Sequence, residues 1–400
     1  MATDIAEQTP VTLNDDAERL AAFLAGQPQH GLSSTILNDA RVQPMRDVSG
    51  GVCLGSEWDA LRQQRGWKPA DSFDDCPGED TIIEGEYIYG GPMGHLHFGH
   101  VMAEFVHRIV PSLQRFGSGR FLFVAREGAR TGFAQQPHWF QDILGFLGLG
   151  AHNTLIVNAA CRVERLRICQ QGSCLGGPSE KSYLDLLQAF SEHRLAELGH
   201  SSWNKHAKVY VSRSRVPHGG NFLGERYMEK LLHQRGFHIL YPETVPFVQQ
   251  IWTYAHAQQL IFCEGSAAHG CELLGTRSLN EVLLIGKREL GTYTRVLAPR
   301  SKKFHAQKGH RLLGSLVRNA NGSVVIHRAI HLFDVPHLLS DLREKMFADL
   351  EPLFDAAAYE ATVKEDLYSY MAYCLQRPRA GVASPTEIAD FLMEFDRAPL

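Results

Sequence analysis

From Thr81 onward, apolar runs of strand length alternate with stretches whose apolar residues recur at helical spacing, and this order constrains the chain more than any other feature. It predicts parallel sheet, because strands that run the same way must be joined by a crossover, and a helix is the usual one. Strands are expected at 81–83 and 87–89, broken by Gly90-Gly91-Pro92, then at 120–125, 154–158 and 163–169. Helices are expected at 98–116, 139–147 and 182–198. After the polar stretch 200–206 the alternation restarts, with strands at 208–212, 237–241, 259–263 and 281–285 and helices at 224–234, 246–257 and 266–274. Residues 1–75 read as short helical patterns and loops. Beyond Lys302 the pattern weakens to a strand at 323–327 and helical segments, the last from Pro385 to Phe395 behind the capping box Ser384-Pro385-Thr386-Glu387.

The expected fold class is α/β. Two Rossmann-like domains face a cleft, with the C-terminal helices packing back on the N-terminal domain. The divisions are 1–75 as the opening segment of the first domain, 76–203 as its Rossmann-like part, 204–345 as the second Rossmann-like domain and 346–400 as a helical segment. In such sheets ligands sit beyond the carboxyl ends of the strands, so those ends are where chemistry is expected.

Composition narrows the partners. The chain has 400 residues, with 40 Lys plus Arg against 44 Asp plus Glu, a formal net charge of -4. No general excess of positive charge is present to neutralise a nucleic-acid backbone, so nucleic acid is not an expected partner. No run of 18 apolar residues occurs, and the acidic N-terminus lacks the cationic start and apolar run of a secretory signal. The expected location is the cytoplasm, with peripheral contact to the inner face of the membrane left open. The 8 cysteines are scattered without a CxxC pair and are expected to be reduced and structural.

Three clusters can carry chemistry. In His97-Phe98-Gly99-His100-Val101-Met102-Ala103-Glu104, continuing to His107, a helix would place His97, His100, Glu104 and His107 on one face. His100 or Glu104 is then a candidate general base, with a divalent-metal site or a polar helix face as the competing readings. In Val209-Tyr210-Val211-Ser212-Arg213-Ser214-Arg215, two guanidinium groups follow a strand, suited to phosphate oxygens or to surface ion pairs. In Cys263-Glu264-Gly265-Ser266-Ala267-Ala268-His269, small residues after a buried strand let a ligand approach backbone N–H groups, or simply let a helix pack closely.

Taken together, these stretches resemble glycosyltransferase family 61 over about residues 80 to 290. His97 to Pro111 is similar to the family's first core helix, with its His and acidic positions at His100 and Glu104. Val163-Glu164-Arg165-Leu166 and Val209-Tyr210-Val211-Ser212-Arg213 resemble two of its strands, and Glu225 matches an acidic position in the helix that follows. The segments at 236–243 and 247–251 resemble its next elements. At its final "HGAG" motif the chain departs, with Glu264 in the place of the family His and His269 several residues later.

The resemblance implies a GT-B glycosyltransferase, of the bacterial capsular polysaccharide type, that inverts the anomeric carbon and uses no cofactor or catalytic metal. A nucleotide-sugar is the donor and substrate, and a glycan or lipid-linked saccharide the acceptor. The implied donor-binding residues are Arg213, Arg215, Glu243, Glu264, Gly265, Ser266 and His269. His100 and Glu104 are catalytic, and His97 and His107 line the acceptor side. Two other readings are a non-catalytic glycan- or nucleotide-binding protein of the same fold and a metal-dependent hydrolase built on His97, His100, Glu104 and His107.

Overall fold

The computed structural model describes residues 13–46, 49–73, 81–93, 97–200, 202–216, 220–287, 290–308, 310–319, 321–376 and 381–396. It divides into two compact units. The first comprises Met1–His200 with Pro246–Ile251 and His269–Ser278, and the second comprises Ser201–Val245, Trp252–Ala268 and Leu279–Leu400.

The described part of the first unit is built on a six-stranded sheet in the order Ser49–Val52, Ser34–Arg46, Cys161–Cys169, Thr81–Met93, Phe121–Ala125, Thr154–Val157. The last four strands run parallel, as the alternation requires, and every residue of Phe121–Ala125 is buried. The first two correct the expectation for residues 1–75. Ser34–Arg46 is a strand of 13 residues, antiparallel to Cys161–Cys169 from Ser34 opposite Cys169 to Val42 opposite Cys161. Its many polar and half-exposed positions hide it from a search for apolar runs.

Gly90-Gly91-Pro92 does not break the neighbouring strand either, since Thr81–Met93 is continuous. Its register shifts between Tyr89 and Gly91, where φ is +122°. At Gly90 the missing side chain makes room for Phe123, because a Cβ there would lie 2.5 Å from the ring. These glycines let the strand bulge and pack closely.

The expected helix 98–116 is interrupted. After a turn at Phe98–His100, Val101–Phe105 widens into a π-helical turn, with the Val106 N–H bonded to the Val101 carbonyl at 3.3 Å, and the α-helix proper is Ile109–Phe116. The altered register turns Arg108 inward, where it is fully buried and donates to the carbonyls of Cys169 at 2.6 Å and Arg62 at 2.9 Å.

The second unit holds a five-stranded sheet in the order His238–Leu240, Lys208–Val211, Gln259–Cys263, Leu279–Gly286, Ser301–Lys308, with every neighbouring pair parallel. The chain proceeds from Lys208–Val211 to one side and then returns to build outward on the other, so the strand order reverses between Lys208–Val211 and Gln259–Cys263. The expected strand at 323–327 does not form. Only a single antiparallel bridge, Val324 to Arg318, remains of it before the short 3-10 turn Ile326–Arg328, and Val317–Arg318 also pairs with Gly381–Val382.

The last helix is Pro385–Asp396, and its capping box closes in both directions: the Ser384 N–H reaches the Glu387 carboxylate at 2.7 Å and the Glu387 N–H reaches Ser384 Oγ at 3.3 Å. The expected seat of the C-terminal helices on the first domain is corrected. Tyr359, Val363, Leu367, Tyr370, Phe391 and Phe395 belong to the second unit's own hydrophobic core, beside Tyr227, Leu231 and Leu332. No helix among the described residues is long and apolar enough to cross a membrane. The described cysteines form no disulfide with one another, and all are buried except the half-buried Cys53.

Candidate functional site

In the first unit the chemistry gathers around Gly99. Glu104 is buried, and its carboxylate accepts from His100 Nδ1 at 2.6 Å and from Arg65 at 2.8 Å to Oε2 and 3.0 Å to Oε1. Burial alone would raise its pKa. The bonds from His100 and Arg65 outweigh that and hold it below the usual carboxylate range. An ionised carboxylate only accepts hydrogen bonds, so His100 Nδ1 must carry the proton and the lone pair of the neutral ring lies on Nε2.

His97 precedes this turn and is exposed, with its ring centroid 5.6 Å from that of His100. His107 goes elsewhere. It is fully buried, bonded through Nδ1 to Tyr183 Oη at 3.0 Å, with Nε2 3.8 Å from the Glu272 carboxylate. The π turn inserts an extra residue into the helical register and separates His107 from the His100–Glu104 face. The four side chains therefore do not converge as the metal-ligand set considered from sequence, and no group of three or more metal-ligating side chains is found among the described residues.

Glu272 also accepts from His269 Nδ1 at 3.1 Å. A Cβ on Gly99 would lie 3.5 Å from His269 Cδ2 and 3.5 Å from His97 Nδ1, so these two imidazoles flank the glycine. His269, expected with the donor residues, thus belongs to the first unit and stands beside His97.

In the second unit the candidate residues lie at the strand ends where the sheet order reverses. Lys208–Val211 pairs with Gln259–Cys263 up to Val211 opposite Phe262, which brings Ser212-Arg213 and Glu264-Gly265 out at the same sheet edge. The Arg213 guanidinium lies against Gly265, where an added Cβ would come 2.1 Å from Nη1 and 2.4 Å from Cζ. The Arg213 backbone N–H donates to Glu225 Oε1 at 2.9 Å, and Tyr210 Oη donates to the same oxygen at 2.9 Å. Burial, reinforced by Glu229 nearby, raises the Glu225 pKa despite those bonds. Burial and the Glu225 charge likewise push the Cys263 thiol well up, so it stays protonated and is no nucleophile.

Arg215 is exposed and stacks its guanidinium over Tyr241 at 3.7 Å. Tyr241 in turn donates to Glu229 Oε2 at 2.8 Å. Glu243 is exposed on the 3-10 turn Pro242–Thr244. Ser266 is half-buried at the start of Ser266–Leu273, which is a 3-10 helix rather than the expected α-helix. Glu264 is buried and accepts from the Lys287 backbone N–H at 2.7 Å.

Sequence reading misses Arg65, Glu272, Tyr183 and Lys287. The spacing His269-x-x-Glu272 is a usable signal for the second, since residues three apart in a helical turn can meet. Arg65 has none, because it meets Glu104 only through the fold.

The carboxyl ends of the second unit's parallel strands thus bring together a guanidinium, a glycine and buried acids in an α/β framework. Residues 98–276 match the family model described as Glycosyltransferase 61, which makes this stretch similar to that family. No curated protein matches the sequence.

Proposed function

We propose that this chain is an inverting, metal-independent glycosyltransferase of GT-B type that moves a sugar from a nucleotide-sugar to a hydroxyl of a glycan or lipid-linked saccharide, in surface polysaccharide assembly of the bacterial capsular kind. The observation that supports it most is Arg213 packed on Gly265 at the strand-order reversal of the second unit's parallel sheet. Ligands of doubly wound sheets collect at that crevice, and a planar guanidinium beside a residue without a side chain suits a diphosphate pressed close to backbone.

In the reaction, the acceptor hydroxyl gives its proton to His100 Nε2 as its oxygen attacks the anomeric carbon from the face opposite the leaving group. Glu104 is then a positioning residue. It holds Nδ1–H, sets the tautomer and stabilises the imidazolium that forms. Negative charge grows on the departing diphosphate, and Arg213 with the backbone at Gly265 and Ser266 neutralises it.

The test is thermal unfolding of the purified protein with UDP, GDP, CMP, dTDP and ADP, each with and without chelator, beside Arg213→Ala. One nucleotide is expected to raise the Tm regardless of chelator and to lose its effect in the variant, because a ligand that binds only the native state stabilises it by mass action. No shift with any nucleotide, or an equal shift in Arg213→Ala, overturns the donor site.

A further inference from the structure

Lys287 follows directly on the strand Leu279–Gly286, whose pairing with Gln259–Cys263 runs to Cys263 opposite Ile285. It therefore leaves the sheet at the same edge as Glu264-Gly265. Its backbone N–H is tied to Glu264, and its side chain is buried, with Nζ donating to the Gly220 carbonyl and lying 5.9 Å from the Phe222 ring centroid. Gly220 belongs to the segment that follows Arg213, and the next residue, Asn221, donates to the Arg213 carbonyl at 2.9 Å and to that of Val216 at 2.7 Å. Both the backbone and the side chain of Lys287 are thus held in place.

The charged and titratable groups acting on Lys287 are Arg213 from the strand end before it, Cys263 and Glu264 from the central strand, and Glu225 from the helix Glu225–Gln234. The half-buried Arg213 and the buried Lys287 thus stand at the carboxyl ends of the same sheet. Burial, and then repulsion from Arg213, hold the Lys287 pKa well below the usual lysine range, with Cys263, Glu225 and Glu264 opposing only in part. A diphosphate brought to Arg213 would add negative charge beside both basic groups.

We infer that Lys287 is the second cation of the Arg213–Gly265 anion site and that it takes a proton from solvent when a diphosphate binds there. The inference rests on the donor site proposed above. In proton balance, the neutral amine plus one proton from buffer becomes the ammonium on binding, and the proton returns to solvent when the diphosphate leaves. The site then carries its full positive charge only when occupied. That keeps two cations from repelling each other before a ligand binds and places the extra charge where the leaving group's charge develops.

The experiment is isothermal titration of the full-length protein with inorganic pyrophosphate, in chelator, near neutral pH, in two buffers of different ionisation enthalpy. The difference in heat gives the protons taken up. Wild type is expected to take up more protons than Lys287→Arg, which keeps the cation but cannot titrate, and Lys287→Met is expected to lose both the extra uptake and affinity on the order of tenfold. Glu225→Gln, checked for folding by circular dichroism, is expected to retain the uptake. Equal proton counts in wild type, Lys287→Arg and Lys287→Met, or an uptake that disappears with Glu225 instead, overturn the inference while leaving the donor site standing. Failure of wild type to bind either pyrophosphate or any of the nucleotides overturns the donor site and the inference together.

Discussion

Gly265→Ala separates folding from function in a way the structure makes quantitative. The new Cβ would stand 2.1 Å from Arg213 Nη1, 2.4 Å from Cζ and 2.6 Å from Nε, so the guanidinium must leave. It is the far end of a flexible side chain, and Gly265 is not among the residues with positive φ, so the backbone accepts alanine. The stability cost should stay within about 1 kcal/mol, the scale of an ordinary accommodated substitution. The anion site fares worse. Losing a hydrogen bond to a charged group costs about 1.5–3 kcal/mol, and each 1.4 kcal/mol is tenfold, so the Kd for pyrophosphate or the preferred nucleotide should rise by roughly 10- to 100-fold.

Gly275→Ala is the control. There the Cβ would meet the backbone N of Gln188 at 2.1 Å and its Cα at 2.2 Å, inside the helix Lys181–Leu198, which cannot step aside. Overpacking of that kind costs about 1–3 kcal/mol or more and should lower the Tm by several degrees. Thermal unfolding and calorimetric titration of both variants check the pair. If Gly265→Ala binds pyrophosphate as wild type does, or if it loses as much stability as Gly275→Ala, the placement of Arg213 against Gly265 is refuted as the basis of the site.

Other consequences concern the first unit. His100→Ala should lower kcat/KM for transfer on the order of 10²- to 10⁴-fold, the usual worth of a positioned base, and undiminished turnover would remove His100 from that role. Arg65→Gln should act more mildly, lowering kcat/KM without abolishing transfer, because Glu104 keeps its bond to His100; turnover equal to wild type would show that Arg65 does not act through Glu104. The lowered pKa of Glu104 also links it to stability. A carboxyl held down in the folded state contributes above its unfolded pKa and loses that contribution as pH falls through the folded value. Wild type should therefore exceed Glu104→Gln in Tm at neutral pH, and the gap should close on acidification. A gap that does not change with pH would contradict the pairing.

Much of the fold could be read from periodicity, and the reasons for the failures are physical. Buried parallel strands such as Phe121–Ala125 and Gln259–Cys263 announce themselves as apolar runs because both faces are covered. Ser34–Arg46 does not, since an antiparallel strand with many half-exposed positions mixes polar and apolar residues. Gly90 and Gly91 read as a break because the same residue type serves turns, bulges and close packing, and only Phe123 across the sheet decides which. The π turn at Val101–Phe105 was equally out of reach, and with it the separation of His107 from His100.

The sequence by itself determined the α/β class, the strand ends at Arg213 and Gly265, the pairing of His100 with Glu104 and the cap of the last helix, because each depends on residues within a few positions of one another. Tertiary structure alone decided that Arg65 would grip Glu104, that Glu272 would come to His107, and that Lys287 would stand beside Glu264. These contacts join residues tens to more than a hundred positions apart. A local pattern can show a side chain's type and its place in an element, but which distant charge is buried beside it, and so whether it holds or gives up a proton, is set only when the sheets close.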